Sequence, residues 1–173
     1  MQVAEVRPGY ELWRPNREKA ESKMMKAIVA FVFLVSAALL IIITLGGWER
    51  LLGTSVAVMS LGWAGLYILF AFLVARWNRG VLPVGSALAV ILVIFAAIAA
   101  PAWFDRSKDG LDSPALPEDL LGMLTLVLIP VQLLLIVVAM IGFNQEWHVE
   151  EERPIGGRPL AGEDDRGPHP LPA

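Results

Sequence analysis

Hydrophobic and polar residues are segregated along this chain into long blocks. Four uncharged stretches, at 27–48, 51–75, 81–104 and 120–145, run for 22, 25, 24 and 26 residues. A helix rises about 1.5 Å per residue, so about 20 apolar residues cross a hydrocarbon core of about 30 Å. Apolar runs in soluble core helices stay nearer 10–14 residues. The pattern predicts an all-α integral membrane fold, a bundle of four transmembrane helices. Residues 1–26 form a polar segment with a short interfacial helix over 16–26, and residues 27–145 form the membrane domain. Residues 146–173 form a tail, first acidic and then rich in Pro and Gly, that is expected to be disordered beyond about Arg153. No internal repeat emerges.

The first run is expected to be a retained span. It is longer than the ~7–15 residues of a signal-peptide core and ends in LGGWER without a small-x-small cleavage site. The connections at 48–50 and 76–80 are expected to be tight hairpins. The sizeable loop, 105–119, holds five acidic and two basic residues. It lacks the alternation and terminal Glu of a calcium loop, and is expected to be a solvated connection.

Composition agrees with the pattern. Of 173 residues, 56% are hydrophobic and 18% charged, against roughly 45–50% and 25% in ordinary soluble domains. A water-soluble enzyme, a disordered chain and a fibrous one are excluded. There is no cysteine, so disulfide and thiolate chemistry are excluded as well.

Charge placement sets the expected orientation. Eleven Lys and Arg residues flank the runs on one side, in the N-terminal segment, the second hairpin and the tail, against Arg50, Arg106 and Lys108 on the other. The positive-inside rule then puts both termini in the cytoplasm, with the chain in a plasma or inner membrane. Trp48, Trp77, Trp103 and Trp147 lie at span ends, where indole rings anchor at the headgroup level. Trp63, Phe70 and Trp77 are heptad-spaced on one face, expected to be a lipid-facing aromatic stripe.

No Asp, Glu, Lys, Arg or His falls inside the four runs. Intramembrane ionisable residues mark proton and ion pathways, so coupled transport has nothing to run on. The two histidines, His148 and His169, lie beyond the last run, which argues against a membrane haem and leaves Ser36, Ser60 and Ser86 without a catalytic base. No catalytic residue, cofactor or metal site is expected. Nor does any basic patch or phosphate loop suggest nucleic acid or nucleotide.

Small residues instead follow helical spacing. Ala57, Ser60, Ala64, Tyr67 and Ala71 share one face of the second run, and Gly85, Ala89, Ala96 and Ala100 one face of the third. Gly122, Thr125, Gln132 and Ala139 share a stripe of the fourth. Such faces let helices approach closely, either within the bundle or against another protein. Pro130 removes one backbone hydrogen bond, and Gln132 is the sole mid-membrane amide. An unpaired amide in hydrocarbon is costly, so Gln132 is expected to face protein, with Tyr67 or Ser60 as partner. The pair marks either a structural kink or the wall of a small-molecule site.

At the ends, the stretch RPGYELWRP suits a docking peptide or burial at the bilayer surface, and His148 with Glu146 or Glu150 is at most a weak metal pair. The expected function is that of a small non-catalytic accessory or assembly subunit of a larger membrane complex, respiratory complexes included. Its expected partners are the lipid bilayer and other membrane subunits or a second copy. The alternative is a transporter or channel component for a neutral solute.

Overall fold

A computed structural model of the protein describes residues 9–51, 53–105 and 114–155. The elements are β1 (Tyr10–Trp13), α1 (Pro15–Glu18), α2 (Ala20–Gly46), a 3-10 turn at Trp48–Arg50, α3 (Thr54–Ala75), α4 (Val81–Phe104), α5 (Glu118–Asn144) and β2 (Glu151–Pro154). Four helices, α2 to α5, are long and apolar enough to cross a membrane. By helix length and hydropathy the chain is a multi-pass integral membrane protein. The tail beyond residue 155, expected to be disordered, and most of the acidic loop lie outside the described residues.

Helix boundaries follow local chemistry. The helical stretch expected at 16–26 divides at Lys19, and from Ala20 it is continuous with the first span. Gly53, at φ +126°, takes a backbone conformation that side-chain-bearing residues avoid, and α3 begins directly after it. Glu118 and Asp119 occupy the first turn of α5, where carboxylates complement the helix dipole.

Along the bundle, α2 packs against α3 and α5, and α5 packs against α4. Contact between α3 and α4 is sparse, so the ring of helices is open on that side. The predicted small faces turn inward. Ala57, Ala64 and Ala71 of α3, Ala89, Ala96 and Ala100 of α4, and Thr125 and Ala139 of α5 are all buried, as are Gly85 and Gly122; Ser60 is half-buried. Close approach is literal at two of them. The Phe33 ring occupies the space a Cβ at Gly85 would need, and the Phe104 ring does so at Gly122. Large apolar side chains such as Phe31, Ile94 and Val137 are exposed. Membrane helices pack in this way because lipid solvates bulky apolar groups as well as protein does.

The aromatic expectations need correction. Trp48 is exposed and Trp77 half-buried, but Trp103 and Trp147 are 2% and 0% exposed, so neither ring reaches the headgroups as an anchor. Trp103 packs with Ile43 and Leu121, while Trp147 meets Trp77 edge-on at 5.4 Å between centroids. The Trp63–Phe70–Trp77 stripe likewise faces protein. Trp63 stacks edge-on with Phe95, and Phe70 with Phe33. Position at a helix end is the same for a ring turned to lipid and one turned to a neighbour, so spacing alone does not separate them.

At one end of the bundle the terminal segments are knitted together. β1 and β2 pair antiparallel, with Tyr10 opposite Pro154 and Trp13 opposite Glu151. Residues 10–13 of the RPGYELWRP stretch are thus taken up by the chain's own C-terminal segment. Arg14 pairs with Glu150, Asn16 Nδ2 donates to the Glu146 carbonyl, and Arg17 Nε donates to the Trp147 carbonyl. Lys26 Nζ donates to the Ala75 carbonyl and lies 4.2 Å from the Trp77 ring centre. The N-terminal segment, the α3–α4 turn and the C-terminal segment therefore share one end.

Candidate functional site

Three buried polar residues of the spans come together where α2, α3 and α5 meet. The Tyr67 hydroxyl donates to Gln132 Oε1 at 2.8 Å, and Gln132 Nε2 donates to Ser36 Oγ at 2.9 Å. Ser36 in turn donates to the Val32 carbonyl one turn back on α2, at 2.8 Å. All three side chains are at 0% exposure. The chain of bonds runs from phenol to amide to hydroxyl to backbone, and Gln132 has a partner at both of its polar atoms. Burial of an amide in a span requires this, because hydrocarbon offers it nothing.

Of the two partners expected for Gln132, Tyr67 is present and Ser60 is not; Ser60 lies in a cleft described below. Ser36 takes its place. Its position follows the buried spacing of α2, where Val29, Val32, Phe33, Ser36, Ala37 and Leu40 line one face. Pro130 is exposed, and α5 runs on through it to Asn144. Thr125 Oγ1 donates to the Leu121 carbonyl within its own helix, at 2.8 Å. The Gln132 chain and the Pro130 position do not converge on an open site. Tyr67, Gln132 and Ser36 fill one another, and the arrangement is a tie between helices.

A cavity lies elsewhere. Between α3 and α4, on the side where the ring is open, a cleft of about 290 Å³ reaches inward to α2 and α5. Its walls include Leu40 and Thr44 of α2, Ser60 and Trp63 of α3, Phe95 and Ala96 of α4, and Leu128 of α5. The walls carry no ionisable residue. The Trp63 indole N–H is buried and has no hydrogen-bond partner. The sequence signal for this cleft was weak, since Ser60 and Trp63 looked like parts of two ordinary helix faces. What creates the cleft is the separation of α3 from α4, which no local pattern encodes.

No protein-family model matches the chain, and neither a curated protein nor a solved structure is significantly similar to it.

The polar end has its own electrostatics. Arg79 Nη1 donates to His148 Nδ1 at 2.6 Å, and the Arg79 guanidinium lies 4.1 Å from the centre of the Phe143 ring. Glu150, the other half of the weak metal pair, is engaged by Arg14. Among the described residues, no three His, Asp or Glu side chains converge as metal ligands would. Burial and the nearby Arg14 charge both lower the pKa of Arg17 from its ordinary value, and Glu150 partly offsets them. These contacts fasten the segments to one another, with cations over aromatic faces adding to the hydrogen bonds.

Proposed function

We propose that this chain is a non-catalytic integral membrane protein that works as an accessory or assembly subunit of a larger membrane complex, with both termini in the cytoplasm. One observation carries the reading. On the outward face of α3, Gly62 and Gly65 are exposed, and a Cβ built at either would meet no atom within 4 Å. Glycine lowers helix stability by roughly 1 kcal/mol against alanine, and the fold itself gains nothing from it at these two places. A pair of small residues one turn apart on a lipid-facing surface is what lets a second helix come close. The four uncharged runs supply no Asp, Glu, Lys, Arg or His, and the Tyr67–Gln132–Ser36 chain is closed, which further favours a structural role.

The test is gentle detergent extraction from the native membrane, with the wild type compared to Gly62→Leu/Gly65→Leu. A foreign membrane protein should co-purify with the wild type and be lost from the variant, while helix content is unchanged. Recovery of a lone homo-oligomer that makes liposomes permeable to neutral solutes would overturn the proposal in favour of a transport role.

A further inference from the structure

Lys23, Lys26 and Arg76 gather where the start of α2 meets the end of α3, and among the described residues none of them is in an ion pair. Lys26 immediately precedes the first uncharged run and Arg76 immediately follows the second, so both stand at one edge of the hydrocarbon layer. Lys26 Nζ donates to the carbonyl of Ala75, the residue before Arg76, at 3.3 Å. Lys23 is exposed one turn earlier on α2, on the same side as Lys26.

The corner is held in shape by rings. Trp77, at φ +65°, takes a left-handed conformation that side-chain-bearing residues rarely adopt, and its ring centre lies 4.2 Å from Lys26 Nζ. The Arg76 guanidinium lies 4.6 Å from the centre of the exposed Phe72 ring. An ammonium carries three N–H donors and a guanidinium five. Lys26 uses one of them on Ala75, and the side chains of Arg76 and Lys23 use none among the described residues. Carboxylates of this end are engaged elsewhere: Glu150 by Arg14, Glu11 by Arg153 and Glu18 by the Trp13 indole. Glu21 is set about 140–160° around α2 from Lys26 and Lys23, on its far side.

We propose that this corner binds the phosphodiester of an anionic glycerophospholipid, with Arg76 and Lys26 on the phosphate and Lys23 beside it. Depth selects a lipid, because these side chains start where the hydrocarbon ends and headgroup phosphates begin, and Phe72 offers an apolar surface to the first methylenes. The site lies about 16 Å along α3 from Gly65, so it does not rest on contact with another subunit.

The experiment titrates the full chain in neutral detergent micelles with dioleoyl phosphatidylglycerol or dioleoyl phosphatidylcholine and counts bound lipids by native mass spectrometry. The wild type should take up phosphatidylglycerol saturably and prefer it roughly tenfold over the zwitterionic lipid. Arg76→Gln and Lys23→Gln should each weaken the affinity roughly fivefold, the worth of one basic residue at an anionic lipid surface. Arg79→Gln removes the same charge from the same end, but its guanidinium is turned to His148 and Phe143, so the affinity should hold. Equal weakening by Arg79→Gln would mean a diffuse field and overturns the site, as does equal binding of phosphatidylcholine. A large excess of inorganic phosphate should leave the lipid bound, and displacement would assign the corner to a free anion instead. Circular dichroism checks the helix content of each variant. If Arg76→Gln does not fold, the exposed Lys23→Gln decides the matter.

Discussion

The Tyr67 hydroxyl donates to Gln132 Oε1 across 65 residues of sequence, and that bond joins α3 to α5, two helices with little other contact. Because Gln132 also donates to Ser36, one amide fastens three helices. Interhelical hydrogen bonds in membranes average only about 0.6 kcal/mol, with a maximum near 1.7. Tyr67→Phe is therefore expected to cost about 0.6 kcal/mol, and Gln132→Leu about 1–2 kcal/mol because two bonds go. A double-mutant cycle in detergent unfolding should give a coupling of about 0.5–1.5 kcal/mol between the two. A coupling of zero would mean that the pair is not bonded in the folded protein.

Gly85 and Gly62 should respond oppositely to the same change. At Gly85 an added methyl meets the Phe33 ring, so Gly85→Ala should lose about 1–3 kcal/mol through overpacking. At Gly62 there is open space, so Gly62→Ala should gain up to about 1 kcal/mol from helix propensity. Thermal melts of the isolated protein check both. Equal effects would contradict the packing described for α4 against α2.

Trp147 belongs to the core although it follows the last helix. Trp147→Ala removes a fully buried ring and its edge contact with Trp77, and should cost about 3–5 kcal/mol. An exposed headgroup anchor would cost much less. Trp48→Ala, at an exposed ring, is the matched control and should stay within about 1 kcal/mol. The comparison needs only the two melting curves.

Removal of residues 150–173 deletes β2 and the Arg14 partner Glu150. The helices should persist, while cleavage by trypsin after Arg17 and Lys19 speeds up by roughly tenfold, because the strand pairing and ion pair that order this segment are gone. Mass spectrometry of timed digests measures it. Unchanged protection would show that the pairing contributes nothing to order in the N-terminal segment.

The spans were legible because a membrane imposes two crude conditions, length and freedom from charge, and residues 81–104 meet both so cleanly that α4 has the same bounds. The inward turn of Ala64, Ala89 and Gln132 was legible for a related reason, since helical periodicity puts like residues on one face and hydrocarbon penalises an unpaired amide. Partner choice was less so. Ser60 and Ser36 are equally small hydroxyls, and which one meets Gln132 depends on the rotation and neighbour order of helices. The strand pair was invisible, because Glu151–Pro154 has no alternating apolar pattern and its partner lies some 140 residues away. The cleft was hidden for the same reason as the strands: it arises from how far apart two elements stand.

The β1–β2 pairing also orders events during synthesis. Tyr10 leaves the ribosome long before Pro154, so β1 waits without its strand partner while all four spans are inserted. β2 follows α5 in the chain, so the two strands can pair only once all four helices have been synthesised. A chain stalled after three spans would lack β2, and Tyr10 to Trp13 would have no strand to pair with.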